Sequence, residues 1–398
     1  MSCRRRRPWS PAVKPPLEDD DLLGEVLLRL PPQPSSLPRA SLVCKRWRSL
    51  ASDPGFLRRF RRHHRRSPPL LGFFNRDDDL SFVPTLEAPN RVPPGRFSWQ
   101  GGDGNRLFSL GCRHGLVLIY DMTANQMLVW DPITGDQHRL AIPPGIAGKA
   151  AIINGAVLRI RDAHFQVVLT VADNLDKQHR RVLACVYSSE TGLWGDLIST
   201  PLPPEVPRSD QSRPLPPRSN FPTLVYPGKP AVLAGNSIYW MLVWNFVGIL
   251  EFDLAKQSLA VIRMPVHMLE EGQNQFWIIR AVGGGLGLLF QSDCRIHLWK
   301  RKNDCDGIDS WQLGRTIELD KVLSLELSGV TVTIRGFAEE NNVVFLWTRG
   351  SLFMVNLESL QFRKLSETCI LSHYHPFESV YNADIGGGQS GAGLFHDT

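Results

Sequence analysis

The feature that most constrains the fold is a loose strand–turn–strand repeat that fills the chain beyond residue 66. Short runs rich in β-branched and aromatic residues alternate there with Gly, Pro, Asn and Asp, which is typical of strands joined by turns. Turn positions recur near residues 131, 189, 253, 303 and 356. The repeat is therefore roughly 50–64 residues long, the length of a four-stranded propeller blade.

The clearest copy of the repeat is Trp-Asp-Pro-Ile-Thr-Gly at residues 130–135, which follows a Gly-Leu-Val strand at residues 115–119. This pattern resembles the propeller-like F-box-associated region of plant F-box proteins over about residues 67–380. The resemblance implies a mainly β, kelch-like β-propeller. Residues 70–74 and 97–110 would then supply another blade or the strands that close the ring. The residues alone also allow a pair of β-sandwiches or an irregular β domain.

The N-terminal part of the chain carries a helical pattern instead. Three aspartates at positions 19–21 precede apolar residues spaced by three, four and seven, which predicts a capped amphipathic helix. Prolines at positions 31, 32 and 34 end that helix. A second helix is predicted from Ser35 or Ser36, with an apolar stripe at Ala40, Val43, Trp47 and Leu50. Ser-Asp-Pro at residues 52–54 caps a third helix, so the pattern predicts three helices.

The motifs Asp-Asp-Leu-Leu, Leu-Pro-Pro and Val-Cys-Lys-Arg-Trp-Arg-Ser-Leu follow one another in this region, which resembles an F-box. The resemblance implies binding to a Skp-family adaptor and, through it, to cullin and RING subunits. Its adaptor-facing residues would be Leu17, Leu22, Leu23, Val26, Leu27, Pro31, Val43, Cys44, Trp47 and Leu50. Trp47 would be the strongest single anchor, because buried aromatics tend to dominate interfaces. From periodicity alone, the stripes could equally pack internally in an ordinary helical subdomain.

One departure from the F-box pattern lies at the start of the motif. F-boxes usually open with Leu-Pro before the acidic cap, whereas this chain has Pro-Leu-Glu at residues 16–18. We therefore expect somewhat weaker docking at this point.

The patterns together predict an α+β multidomain chain. Residues 1–15 would form a disordered basic N-terminus, residues 16–62 the F-box, residues 67–380 the propeller-like domain and residues 384–398 a disordered tail. The stretch 201–218 holds seven prolines in eighteen residues, which predicts an exposed loop, because proline withholds the donors that a sheet needs.

The net charge of +6 is unevenly distributed. Residues 1–66 carry +10 and the rest of the chain carries −4. A run at residues 58–66, RRFRRHHRR, and the arginines at positions 4–7 account for much of the excess. They favour an alternative function as a nuclear nucleic-acid-associated or scaffold protein. The acidic balance of the remainder makes nucleic-acid binding by the large domain unlikely.

Motifs that would indicate chemistry are missing from the sequence. It contains no GxSxG, HExxH or P-loop, and its seven cysteines never form a CxxC pair. We therefore expect a non-enzyme with no cofactor, no metal site and reduced thiols. No run of eighteen apolar residues and no secretory signal are visible, which predicts no membrane contact and an intracellular location in the nucleus, the cytoplasm or both. The expected function is substrate recognition for a ubiquitin ligase, although the residues that would bind the substrate cannot be read from the sequence.

Overall fold

The structure is a computed structural model, and it describes two compact units. The described residues are 19–75, 80–93, 95–99, 106–147, 152–161, 164–175, 179–203, 222–264, 275–292, 294–303, 309–324, 332–367 and 373–383. The helical unit contains residues 19–66, 88–90 and 380–383, and the β unit contains the described parts of 67–87 and 91–379. The predicted disordered segments 1–15 and 384–398 lie outside the described residues. In the described part of the chain, no helix has the length and apolarity of a bilayer span.

The helical unit begins with four helices: α1 (Asp20–Leu28), α2 (Ser36–Ala40), α3 (Lys45–Ser52) and α4 (Pro54–His64). Asp19 caps α1, because its Oδ1 accepts hydrogen bonds from the backbone N–H groups of Asp21 and Leu22 at 2.8 and 3.2 Å. Asp53 caps α4 in the same way through the N–H of Phe56 at 2.6 Å. The predicted caps of the first and last helices are therefore confirmed.

The prediction of three helices was wrong, because the second predicted helix is divided into α2 and α3. The hydroxyl of Ser41 donates to the carbonyl of Pro38 at 2.6 Å, where the chain leaves α2. Cys44 is extended, with φ −163° and ψ 171°, and it is the N-cap of α3. The side chains at residues 42–44 therefore leave the helical stripe that the spacing indicated.

The core of the helical unit comes from all of its segments except residues 88–90. Its buried members share a single apolar cluster: Leu23, Leu27, Leu28, Leu37, Phe56, Phe60 and Val380. Trp47 and Leu50 pack against that cluster while remaining partly exposed. At roughly 1.5–3 kcal/mol for each large apolar side chain that is buried, this small cluster is the main favourable contribution to the stability of the unit.

The β unit consists of six antiparallel sheets, which we name blades I to VI. Blade I contains β1 (Leu70–Asn75), β2 (Phe82–Pro84) and the last strand of the chain, β25 (Tyr374–Glu378). Blade II has β3 (Leu107–Arg113), β4 (Leu116–Asp121), β5 (Gln126–Trp130) and β6 (Gln137–Ala141). Blade III has β7 (Asn154–Arg159), β8 (Phe165–Asp173), β9 (Arg181–Ser188), β10 (Leu193–Trp194) and β11 (Ile198–Pro201).

The remaining three blades follow in chain order. Blade IV has β12 (Leu224–Val225), β13 (Val232–Ala234), β14 (Ser237–Val243), β15 (Gly248–Asp253) and β16 (Ser258–Arg263). Blade V has β17 (Gln275–Arg280), β18 (Leu286–Ser292), β19 (Arg295–Asn303) and β20 (Asp309–Glu318), and the short helix α5 (Leu319–Leu323) follows it. Blade VI has β21 (Thr333–Ala338), β22 (Val343–Thr348), β23 (Ser351–Asn356) and β24 (Phe362–Glu367).

The six blades form a closed ring. Each blade contacts the next one, through β25 and β3, β3 and β7, β8 and β12, β14 and β17, and β17 and β21, and blade VI contacts blade I through β21 and β25. Apolar clusters lie between blades II and III, III and IV, IV and V, V and VI, and VI and I. The β unit is therefore a six-bladed propeller, which confirms the propeller expectation over the alternatives of a sandwich pair or an irregular domain.

Blade I closes the ring by joining the two ends of the β unit. β1 pairs with β25, with Phe73 opposite Pro376 and Asn75 opposite Tyr374. Residues 70–74 lie in β1, which both contributes to a further blade, blade I, and closes the ring, as the two predicted roles had it. The second predicted segment, residues 97–110, ends inside β3 of blade II.

The turns of the sequence repeat lie between the third and fourth strands of the blades. Asp131, Asp253 and Asn356 each accept hydrogen bonds through Oδ1 from two backbone N–H groups further along the turn, at 2.8–3.3 Å. The turns predicted at these three positions are therefore confirmed.

The prediction for the proline-rich stretch needs one correction. Pro201 is the last residue of β11, an edge strand in which an N–H group is not required. Residues 204–221 lie outside the described part of the chain.

Phe73 provides a test of ring closure. Its ring lies 5.3 Å from that of Phe345 and 4.4 Å from that of Tyr374, and it is 1% exposed. We expect Phe73→Ala to lower the free energy of unfolding of the propeller by about 3–5 kcal/mol, measured by denaturant titration with tryptophan fluorescence. Phe362→Ala, on the exposed strand β24, is the matched control and should cost less than about 1 kcal/mol. Equal losses for the two variants would contradict the closure role.

Candidate functional site

The adaptor-facing residues predicted from the sequence divide into buried and exposed groups. Leu23 and Leu27 are fully buried in the core of the helical unit, and Trp47 and Leu50 are partly buried against it. The exposed members are Leu22, Val26, Pro31, Val43 and Cys44. Leu17 lies outside the described residues, as does the predicted departure at residues 16–18.

The exposed apolar side chains of the helical unit lie on α1 and on the turn before α3. Leu22 and Val26, one turn apart on α1, are 50% and 46% exposed. Leu42 and Val43 are 74% and 63% exposed. Leu42 was missed by the sequence reasoning, because it does not lie on the helical stripe. These four residues, which we call the apolar surface, can bury hydrophobic area only against another molecule or another segment of the chain.

Ion pairs hold α1 to the helices beside it. Arg46 on α3 contacts Asp20 at 2.7 Å, and Arg59 on α4 contacts Glu25 at 2.9 Å. Both pairs are exposed, so each contributes at most about 1 kcal/mol to stability. Their main effect is to fix the orientation of α1, which carries half of the apolar surface.

The arginine run lies on the second half of α4 and just beyond it. Arg58, Arg59, Arg62 and Arg66 are exposed, and Arg59 forms the ion pair with Glu25. His64 turns inward, with Nε2 2.9 Å from the carbonyl of Leu28, and burial lowers the pKa of its imidazole. The run is therefore partly integrated into the helical unit.

In the propeller, charged residues meet at the C-terminal ends of the innermost strands. Arg113 at the end of β3 pairs with Glu339, in the turn after β21, and its Nε lies 3.3 Å from Oε2. Arg280 at the end of β17 makes two bonds to the carboxylate of Glu340, at 3.1 and 2.8 Å. Bidentate pairs of this kind are strong and directional. They connect blade VI to blades II and V.

Glu378, the last residue of β25, binds the same turn of blade VI. Its carboxylate accepts hydrogen bonds from the backbone N–H groups of Glu340 and Asn341 and from the amide Nδ2 of Asn341, at 3.1, 2.8 and 2.7 Å. Burial raises the pKa of Glu378 to about 7, although these three bonds act in the opposite direction. The strand that closes the ring therefore ends in a carboxyl group that titrates near neutrality.

Residues 226–231, between β12 and β13 of blade IV, form what we call the axial segment. Nδ2 of Asn154, on β7, donates to the carbonyl of Tyr226 at 2.7 Å. Nη2 of Arg113 donates to the carbonyl of Ala231 at 2.7 Å. Pro230 lies so close to Gly111 of β3 that a Cβ at position 111 would be 3.2 Å from the Cβ of Pro230.

The other side of the axial segment contacts blade V and the start of β25. Lys229 donates through Nζ to the carbonyl of Phe276, and it lies 4.9 Å from the centre of the Trp277 ring. Burial lowers the pKa of Lys229 to about 7. The ring of Tyr226 is 6.0 Å from that of His373. The axial segment thus contacts residues of blades II, III and V and the chain entering blade I, so it fills the middle of the ring.

These contacts show what the axial end of the propeller does. Each arginine of the cluster is bound by a carboxylate, and two backbone carbonyls of the axial segment accept hydrogen bonds from side chains of blades II and III. Such an arrangement braces the ring. Neither the axial segment nor the charged cluster was predicted from the sequence, and no motif in the chain signals either of them.

Comparison with protein families gives two matches. A family model described as "F-box protein AT5G49610-like, beta-propeller" matches residues 109–382, which is more than half of the chain. A model of the F-box domain matches residues 19–59. The first match lies almost entirely in the β unit, and the second lies within the helical unit.

Among curated proteins, the chain is similar to the Arabidopsis thaliana protein At3g16210, which is named as an F-box protein. The two are 23% identical over 265 residues, which cover 65% of this chain and 63% of that relative. The chain thus spans less than two thirds of the relative's length.

Solved structures give weaker likenesses. The periplasmic gluconolactonase PpgL of Pseudomonas aeruginosa is 11% identical with a TM-score of 0.37, and it covers 74% of this chain and 81% of its own. The extracellular domain of BT4673 from B. thetaiotaomicron is 12% identical with a TM-score of 0.35, over 76% of this chain and 30% of its own. TM-scores this low carry no argument about function.

Glu378 generates a prediction about pH. Its pKa is raised in the folded protein from 4.5 to about 7, so its contribution to stability is full below pH 4.5 and is lost as the pH rises to about 7. We expect the free energy of unfolding of the native protein, relative to that of Glu378→Gln, to fall by about 2–3 kcal/mol across this window. Denaturant titrations at half-unit steps from pH 4 to 8 measure it.

The control for this experiment is Glu190→Gln, in an exposed turn of blade III. That variant should follow the native pH profile. Parallel profiles for the native protein and Glu378→Gln would show that Glu378 does not titrate near neutrality.

Proposed function

The chain belongs to the family of plant F-box proteins with an AT5G49610-like β-propeller, and we propose that it is the substrate-recognition subunit of an SCF-type ubiquitin ligase. Its helical unit would bind a Skp-family adaptor and, through it, cullin and RING subunits. Its propeller would bind the target protein.

The observation that carries this proposal is the apolar surface. Leu22, Val26, Leu42 and Val43 stay exposed although the helical unit already has a closed core without them. Because these side chains are about half to three quarters exposed, burying what remains of each in an interface would contribute about 1–2 kcal/mol before the costs of association. The apolar surface therefore favours association with a partner. Trp47 and Leu50, which pack against the core, would support the helices that carry the apolar surface. Pro31 and Cys44, which are exposed, would extend it.

The proposed mechanism is proximity without catalysis by this chain. The complex would hold a target near a charged ubiquitin-conjugating enzyme and raise its effective concentration there. The cluster of arginines and glutamates at the axis suits a structural role, because its members bind one another. We therefore propose a non-catalytic subunit.

The target-binding residues of the propeller would lie on its outer turns. The axial segment occupies the middle of the ring, so a bound protein would contact hairpin tips instead.

The four-stranded blades II, V and VI support a kelch-like type, which remains a proposal. Function inside the cell, in the nucleus, the cytoplasm or both, is likewise proposed from the ligase role.

The alternative, a nucleic-acid-associated or scaffold protein, rests on the exposed arginines of α4. It predicts that the full chain binds RNA or DNA with an affinity that falls steeply between 50 and 200 mM salt, roughly by powers of ten if several phosphates are contacted. Replacing Arg58, Arg62 and Arg66 with Ser would then abolish binding in a gel-shift titration. The absence of a shift at low salt would remove this alternative.

Val43 provides the test of adaptor binding. We expect Val43→Asp to weaken adaptor binding at least tenfold, or about 1.4 kcal/mol, because it places a charge in an apolar contact. Calorimetry or co-purification of the full chain with a plant Skp adaptor would measure the effect. Val43 is 63% exposed, so the variant should fold normally.

The matched control is Val282→Asp, which makes the same substitution at a residue 74% exposed in the propeller turn between β17 and β18. It should bind the adaptor as the native protein does. Leu27→Ala would not test the apolar surface, because Leu27 belongs to the core and its loss would destabilise the helical unit itself. Adaptor binding by Val43→Asp at the native level would refute the proposed surface.

A further inference from the structure

The helical unit is assembled from three separate stretches of the chain. Residues 19–66 supply the four helices, but residues 88–90 and 380–383 belong to the same compact unit. The F-box family model ends at residue 59, so it includes neither of the added stretches. The segment that resembles an F-box is therefore incomplete by itself in this protein.

Val380 belongs to the core of this unit. It is 5% exposed and joins the cluster that contains Leu23 and Leu27 of α1 and Phe56 and Phe60 of α4. Ala383 extends the attachment, because its backbone N–H donates to the carbonyl of Pro34 at 3.1 Å. The residues after β25 thus act as a structural part of the helical unit.

Asn90 supports the unit at a second point. Ser35 is the N-cap of α2, yet its own side chain makes no capping bond within the helix. Oδ1 of Asn90 accepts hydrogen bonds from the backbone N–H of Ser35 at 3.1 Å and from its hydroxyl at 2.7 Å. A helix of five residues gains little from its own hydrogen bonds, so it depends on contacts of this kind.

We propose that adaptor binding by this chain is conditional on its C-terminal residues, because Val380 completes the core that supports the apolar surface. This inference rests on the function proposed above. Val380 follows Glu378, the end of β25, by two residues. The same short stretch, residues 374–383, therefore closes the propeller and completes the helical unit.

As a consequence, a chain that lacks its C-terminal residues would lose adaptor binding. Without Val380, α1 and α4 would pack around a gap, and small helical units tolerate gaps poorly. A chain that lacks its last strand would have neither a closed ring nor a stable adaptor-binding unit. Only a complete receptor would then be recruited to the ligase.

The test uses the full-length chain with Val380→Ala, Val380→Asp and the control Val282→Asp. Hydrogen exchange followed by mass spectrometry measures the protection of α1 and α4, and calorimetry measures adaptor affinity. We expect protection of both helices to fall at least tenfold in Val380→Ala and further in Val380→Asp, with at least tenfold weaker adaptor binding in the latter. Val282→Asp should leave both measurements unchanged, and propeller strands should keep their protection in all three variants.

A second pair of variants makes the test independent of Val380. Asn90→Ala removes the acceptor for Ser35 and should lower the protection of α2 several-fold, whereas Asn90→Asp keeps an acceptor and should restore it. Native protection of α1 and α4 in Val380→Asp would overturn the inference. If Val380→Asp loses that protection but the native chain binds no adaptor, the proposed function fails and the dependence of the helical unit on Val380 stands.

Discussion

The pairing of β1 with β25 is the interaction on which the rest of the propeller depends. It joins strands about 300 residues apart, and the entropic cost of closing so long a loop grows only slowly with its length. The stabilisation gained on closure is large, because Phe73 and Tyr374 then pack against Phe345 of blade VI and no face of the ring stays open. An apolar cluster lies between blades VI and I, as it does between blades II and III, III and IV, IV and V, and V and VI, so a ring opened between blades VI and I would expose both faces of that cluster.

The contacts between the charged residues at the axis depend on this closed geometry, because they join side chains of different blades. Ion pairs that are removed from water stabilise a fold only when their bonds are well formed, and the bidentate contact of Arg280 with Glu340 meets that condition. Through these bonds, Arg113 joins blade II to blades IV and VI, and Arg280 joins blade V to blade VI. The propeller therefore has a rigid interior, and its outer hairpins are the positions that can vary without loss of the ring.

The sequence predicted the outer parts of the blades better than the inner parts. β5, β15 and β23 are short, mostly apolar runs, and the turn residues Asp131, Asp253 and Asn356 mark their ends. Innermost strands such as β7, β17 and β21 were missed. β21 reads Thr-Ile-Arg-Gly-Phe-Ala, with a glycine at position 336 where a Cβ would lie 2.9 Å from the carbonyl of Tyr374. The residues of such strands suit contacts with other blades, and a local sequence pattern does not reveal those contacts.

The helical unit shows a different limit of periodicity. Spacing alone placed Val43 on one stripe with Ala40, Trp47 and Leu50, which would have buried it with them. The bond from Ser41 to Pro38 ends α2 early, and the four-residue turn that follows exposes Leu42 and Val43 while Trp47 stays against the core. The half of the apolar surface that Leu42 and Val43 form is therefore produced by the break between two helices. A substitution that restored one continuous helix would improve the local pattern and remove that half of the surface.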